Sequence, residues 1–173
     1  LIFKNLGVFA LVRPACAEPQ HITLDEAHSL NTVSVTETSE SGTVPRVRLE
    51  NDGSQPVFLL DGEELVGAKQ NRVVNLSVLV AAGAKVNIPV SCVESGRWGY
   101  RSDKFASVNR TVNADLRSAK MQRVTCNLAE GREPDADQRE IWDAIALKSE
   151  RMGARSPTDA IASMFEVYEE NID

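Results

Sequence analysis

Glu63, Glu64, Lys69, Gln70, Asn71 and Arg72 crowd one short segment, and Glu94, Arg97 and Trp98 crowd another after an intervening pair of apolar strands. A guanidinium can give two parallel hydrogen bonds to an oxyanion, an indole offers a face for stacking, and carboxylates and amides hold hydroxyl groups. That is the chemistry of a pocket for a small polar planar or anionic ligand. The candidate set is Glu64, Gln70, Asn71, Arg72, Glu94, Arg97 and Trp98. The same residues allow a structural alternative, in which Arg72 and Arg97 pair with Glu64 and Glu94 to lock a long loop while Trp98 caps the core. A general acid–base or metal-binding use of Glu63 or Glu64 with Glu94 is a further option. Adjacent strand residues point to opposite faces, so at most one of Glu63 and Glu64 enters a shared site. Cys92 sits on an apolar face and reads as a small core residue rather than a nucleophile.

These groups meet only if the strands between them pair. Residues 72–80 place Val74, Leu76, Val78 and Val80 on one face, and residues 84–93 answer with Val86, Ile88, Val90 and Cys92 across the turn at Ala82-Gly83. Such a hairpin brings Gln70, Asn71 and Arg72 beside Glu94, Arg97 and Trp98. Upstream, Thr23-Leu24-Asp25-Glu26 has the T-x-x-E form of a capping box and predicts a short helix to about Leu30. Val33 and Val35, then Val47 and Leu49, alternate with polar residues and predict two half-buried strands joined by a turn at Ser41-Gly42. Asn51-Asp52-Gly53 predicts a tight turn and Asp61-Gly62 a second, with a strand over 55–60 between them. An apolar run at 8–12, closed by Pro14 and Pro19, predicts one more buried strand.

Beyond Tyr100 the periodicity weakens, and residues 112–128 are read as a helix. Asp137-x-x-Glu140 opens another, with Ile141, Trp142, Ile145 and Met152 inward. Ser156-Pro157-Thr158-Asp159 predicts the start of a last helix whose Ile161, Met164, Phe165, Tyr168 and Ile172 share a face. That face has to pack on the sheet, on the preceding helix or on another subunit.

At 173 residues, with 42% hydrophobic residues, the chain is long enough for one ordinary buried core. Its formal charge of −6 is uneven: residues 97–123 carry seven Lys/Arg against two Asp/Glu, and residues 132–173 carry five against eleven. The two regions are expected to solvate or complement each other, with an anion-binding surface as the lesser alternative. Cys16, Cys92 and Cys126 are too few and too scattered for a disulfide framework and predict reduced thiols in a cytoplasmic protein. His21 and His28 do not have the spacing of a common zinc motif. Lys4, the apolar stretch after it and Ala15-Cys16-Ala17 imitate a signal peptide, but Arg13-Pro14 interrupts the run. No run approaches the ~20 apolar residues that span a bilayer. The absence of an initiating Met suggests a trimmed or processed product.

Four segments carry a family resemblance: LDEA at 24–27, VFLLDGEELVGAKQNRVVN at 57–75, IPVSCVESGRW at 88–98 and DQREIW at 137–142. They resemble the bacterial and archaeal family called the ARG and rhodanese-phosphatase-superfamily-associated protein domain. The resemblance implies a link, by association with ADP-ribosylglycohydrolase and rhodanese-phosphatase proteins, to ADP-ribose or nucleotide metabolism. It also implies a longer parent chain at the C-terminus, and it carries over no catalytic residues.

The expected fold is α+β, an antiparallel β-sandwich or partly closed barrel of six to eight short strands followed by C-terminal helices. Residues 1–129 are expected to form the β-rich part and 130–173 a helical pair packed on it. The expected function is binding of a small anionic or nucleotide-derived ligand, with no cofactor specified and neither nucleic acid nor membrane as partner. The alternatives are a protein-interaction module that uses the basic segment or the last helix, and a metal-dependent hydrolase.

Overall fold

The computed structural model describes residues 2–3, 6–7, 9–10, 20–39, 45–154 and 156–169. A two-stranded ribbon, β1 (Ile2–Phe3) with β2 (Leu6–Gly7), precedes the body of the domain. Then come β3 (Ile22–Thr23), α1 (Leu24–Ser29), β4 (Val33–Glu37), β5 (Arg46–Asn51), β6 (Val57–Leu59) and β7 (Glu63–Gly67). They are followed by β8 (Arg72–Val74), β9 (Val78–Val80), β10 (Lys85–Cys92) and β11 (Lys104–Thr111). Three helices follow among the described residues: α2 (Ala114–Ala129), α3 (Gln138–Met152) and α4 (Ala162–Tyr168).

Six strands close into an antiparallel barrel in the order β10-β5-β4-β11-β7-β8, and β3-β6-β9 form a separate three-stranded sheet. Of the two expected architectures, the barrel is the one adopted, and its closure is complete. Alternation decides what fills it. Val33, Val35, Val47, Leu49, Leu65, Val74, Ile88, Val90 and Phe105 point inward and form one core with Leu24 and Ala27 of α1. A second core lies outside the barrel wall, where Val73 and Val93 meet Leu116, Ile141, Ile145, Ile161 and Met164 from the helices. Strand β8 thus buries both faces, which is why it reads as an unbroken Arg-Val-Val.

The predicted strand 72–80 is broken. Asn75 is buried and sends its N–H to the Pro89 carbonyl (3.0 Å), while its side chain accepts from Ser91 Oγ (2.8 Å) and donates to the Pro134 carbonyl (3.2 Å). With its polar groups spent there, the chain bends, β8 stays in the barrel and β9 crosses to pair with β6. The hairpin with β10 therefore survives only at its outer end, where Cys92 faces Arg72 across the ladder. The turn at Asn51 is also present, held by the Asn51 carboxamide oxygen accepting from Gly53 N–H (3.0 Å), but it passes the chain from barrel to second sheet and makes no hairpin.

Helix α1 has the full capping box: Thr23 Oγ1 accepts from Glu26 N–H (3.3 Å), and the Glu26 carboxylate accepts from Thr23 N–H (2.7 Å). Asp137 caps α3 by accepting from the N–H groups of Arg139 and Glu140. The last helix starts later than its Ser-Pro signal. Asp159 adopts a positive φ of 49° and Ala160 bridges to Glu94, so residues 156–160 form a turn against the barrel before α4 begins. Trp142, expected inward, is half-buried beside the inward Ile141 and Ile145. Strand β11 is an addition that weak alternation concealed. The run 8–12, the turn at Ser41-Gly42, Cys16 and Ile172 fall wholly or mostly outside the described residues; Phe9 is exposed.

Candidate functional site

The residues singled out by type and spacing do come together. The chain reverses between β7 and β8 through Gly67 and Ala68, both at positive φ. A side chain at Gly67 would collide with Ser102 Oγ at 2.6 Å and the Lys104 carbonyl at 2.8 Å, so only glycine fits there. The reversal sets Gln70 to donate to the Glu94 carbonyl (2.7 Å) and Asn71 N–H to donate to the Glu94 carboxylate (3.2 Å). Arg97 then closes the arrangement. Its Nε donates to Glu94 (2.9 Å), Nη1 to the carbonyls of Ala68 and Gly99 (both 3.0 Å), and Nη2 to the Gly67 carbonyl (3.3 Å) and Asn71 Oδ1 (3.1 Å). Its hydrogen-bonding capacity is spent on the loop. Burial works to raise the Glu94 pKa, but the bonds from Arg97, Thr158 and Asn71 outweigh it and hold the carboxyl below its ordinary value.

Arg72 and Glu64 find partners other than those expected. Glu64 is buried and accepts from Arg110 Nε (2.8 Å). Arg72 shares the inward face with Val74, and Glu37 shares it with Val35 and faces Val47, so both point into one end of the barrel. There Arg72 Nη1 donates to Gln70 Oε1 (2.8 Å) and to Cys92 Sγ, and Trp98 lies over the guanidinium at 5.6 Å. Glu37 Oε1 stands 3.6 Å from Arg72 Nη2. Burial pushes the Cys92 thiol up to about 11, despite the neighbouring arginine, so this sulfur is a protonated core group and not a nucleophile. Gln138, at the start of α3, pairs with both backbone groups of Cys92 (2.8 Å each) and continues the ladder with a side-chain amide.

Glu63 belongs to the other end of the barrel. Between β7 and β11 the register slips, with Ser107 opposite Leu65 but Thr111 opposite Glu63, and Asn109 takes a positive φ of 48°. Beside this bulge lies a cleft of 310 Å³ lined by Thr23, Asp25, Phe58, Leu60, Glu63, Asn109, Arg110 and Thr111, with the Arg110 guanidinium reaching on to Glu64 and over the Phe165 ring at 4.8 Å. In its wall Ser107 Oγ lies within hydrogen-bonding range of both Asp25 Oδ1 and, at 3.2 Å, Glu63 Oε1. A hydroxyl has one proton to give. Ser107 can therefore donate to only one of the two carboxyls at a time. Burial raises the Glu63 pKa, with Asp25 adding to the rise, against hydrogen bonds from Leu60 N–H and Ser107 that lower it.

The sign of that shift makes a measurable pH effect. A carboxyl whose folded pKa lies above its unfolded value weakens the fold progressively as pH rises above the unfolded value, until it has passed the folded one. Glu63→Gln is therefore expected to melt closer to wild type at pH 4 and to gain relative to it by pH 7. Thermal melts at the two pH values check this; an unchanged difference would mean that Glu63 titrates normally.

A fourth cluster escaped the sequence reading. Lys120 of α2 is buried, with Nζ donating to Asp61 Oδ1 and to the Asn75 carbonyl (2.7 Å), while Arg117 Nε donates to Asp61 Oδ2 (2.9 Å). Asp61-Gly62 was visible only as a turn, and Lys120 only as part of a basic segment. The one available signal was that Leu116, Lys120 and Val124 share a helical stripe. Much of the basic segment is in fact spent on acids of the barrel, through Arg97, Arg110, Arg117 and Lys120. Among the described residues no three His, Cys, Asp or Glu side chains gather as a metal site, and no helix is long and apolar enough to cross a membrane.

Fold and site together define a small α+β domain: a closed antiparallel barrel buttressed by three helices, with an ionic plug at one end and a polar cleft at the other. The chain belongs to the ARG and Rhodanese-Phosphatase-superfamily-associated Protein domain family, whose match spans residues 1–173. No curated protein and no solved structure matches it.

Proposed function

We propose that this domain binds a small anionic, nucleotide-derived ligand of the ADP-ribose type, and that the cleft between α1 and β11 receives its ribose phosphate. The observation that carries this reading is the Asp25 and Glu63 carboxyl pair, joined by one hydroxyl in the wall of a 310 Å³ cleft that Arg110 also lines. Carboxylates accept from vicinal sugar hydroxyls, the Phe58 ring gives an apolar face, and Arg110, which holds Glu64 through Nε, keeps its terminal nitrogens for a phosphate. The volume lies at the small end for ligand sites, which suits one sugar phosphate and leaves the rest of a dinucleotide outside. Gln70, Arg97 and Glu94 of the original candidate set bond to one another instead, which is the arrangement of a loop lock.

ADP-ribose at about a hundred times its dissociation constant is expected to stabilise the fold by roughly 2.7 kcal/mol. Asp25→Asn, which keeps the shape of the side chain, is expected to weaken binding at least ten-fold with little change in the melting point of the free protein. Absence of a shift with both ADP-ribose and ribose 5-phosphate, or equal binding by the variant, would remove the reading. A second reading, an interaction module, is favoured by the apolar hollow of 150 Å³ among Met152, Ile161, Met164, Phe165 and Tyr168, flanked by exposed Val167.

A further inference from the structure

The inward end of the barrel holds an arginine whose recognition edge is unused. A guanidinium takes a flat partner bidentately through Nε and one terminal nitrogen. On Arg72 those two atoms, Nε and Nη2, are buried and have no hydrogen-bond partner among the described residues, while the whole side chain is 0% exposed. Facing them, both oxygens of Glu37 are buried and likewise accept no hydrogen bond from the described residues. At 3.6 Å the two groups attract as charges without forming a hydrogen bond. Native interiors satisfy such atoms almost without exception, and an ion pair at this spacing leaves hydrogen-bonding capacity on both groups that a third group can take up.

The chemistry of that group is narrowly set. It must offer an acceptor to the Arg72 edge and a donor to Glu37, because an acceptor-only anion would meet the carboxylate and a donor-only cation would meet the guanidinium. It must be flat, since the Trp98 ring covers the guanidinium at 5.6 Å. Trp98 is itself 52% exposed and comes from residues 95–103, a stretch without helix or strand, so this covering side chain can yield to an entering molecule. Gln70 and Cys92 occupy Nη1 and fix the guanidinium plane.

We propose that the Arg72–Glu37 end of the barrel is a recognition site for a planar edge carrying an acceptor beside a donor, as on a primary carboxamide or an aminopurine, with Trp98 as its stacking cover. This site lies at the opposite end of the barrel from the Asp25–Glu63 cleft and stands independently of it.

The test uses the indole as reporter. Trp142→Phe leaves Trp98 as the only tryptophan of the two in the chain. Nicotinamide and adenine are titrated against this protein, with benzoate as the acceptor-only control and benzamidine as the donor-only control. The expected result is saturable change in Trp98 fluorescence with nicotinamide or adenine and at least ten-fold weaker response to both controls. Glu37→Gln is then expected to move the preference toward benzoate, because the repelling charge is gone. A flat Trp98 signal with every probe, or equal response to all four, would overturn the proposal. The selectivity among probes in the Trp142→Phe protein decides the matter even if Glu37→Gln folds poorly. Ribose 5-phosphate binding at the cleft is read separately through Asp25→Asn, so failure at one end does not imply failure at the other.

Discussion

Lys120→Ala is expected to cost the fold about 3–5 kcal/mol, the range for removing one partner of a buried ion pair. The ammonium is fully enclosed, between the Asp61 carboxylate and the Asn75 carbonyl. Burial lowers the Lys120 pKa, and the hydrogen bond and charge of Asp61 hold it up. Without the lysine, Asp61 keeps only the half-exposed Arg117, and the Asn75 carbonyl at the bend between β8 and β9 loses its donor. In a domain of this size the loss corresponds to a fall in melting temperature of roughly 6–20 °C. The double variant Asp61→Asn/Lys120→Met removes both charges and keeps the volume, so it is expected to recover much of the loss. Calorimetric melts of Asp61→Asn, Lys120→Met and the double variant check this. Additive losses in the double variant would show that the two groups act separately.

Elements whose burial has a simple period were legible in the sequence. Val33 and Val35, Val47 and Leu49, and Ile88 and Val90 alternate because one face of each strand fills the barrel. Thr23 and Asp137 announced helix starts because a cap is a local device that needs no tertiary partner. What could not be read depends on groups distant in sequence. Barrel closure rests on β10 pairing with β5 over one half and β8 over the other, and no local pattern encodes a strand with different neighbours along its length. The break at Asn75 rests on Pro89, Ser91, Lys120 and Pro134.

The site was legible to the same degree and for the same reason. Proximity of Gln70 and Asn71 to Glu94 and Arg97 follows from a hairpin register, which alternation supplies. Pairing does not follow. Glu64 looked like a partner for Arg72 or Arg97 because it is near them in sequence, but it points to the outer face, where Arg110 meets it, and Arg72 points inward to Glu37. The cleft depended on a bulge in β11, a strand with Val108 exposed and polar residues around it, whose alternation is too weak to announce it. Asp25 was seen only as an inner residue of the capping-box segment; its role in the cleft needs Ser107, which lies far along the chain.

Arg97 supplies the sharpest test of whether the dense polar loop is architectural. Arg97→Ala removes a side chain that ties Glu94, Asn71 and the carbonyls of Gly67, Ala68 and Gly99 together, and it leaves Glu94 buried with its principal counter-charge gone. The expected loss is about 3–5 kcal/mol at pH 7, reduced somewhat by the partial exposure of the arginine. Its pH dependence is diagnostic. In the wild type the lowered Glu94 pKa contributes stability that is present above the unfolded carboxyl value and is lost as pH falls through the folded one. In Arg97→Ala the burial of Glu94, which already acts to raise its pKa, is no longer opposed by Arg97. With only the Thr158 and Asn71 bonds left against burial, the carboxyl is expected to contribute less stability as pH rises. The gap between the two proteins is therefore expected to be widest near pH 7 and to narrow toward pH 4, where a neutral Glu94 no longer needs the guanidinium. Urea titrations of both proteins at the two pH values measure it. A gap that stays constant with pH would mean that Arg97 holds the loop through the backbone carbonyls alone. A negligible gap at both pH values would return this arginine to the pool of groups available for a ligand.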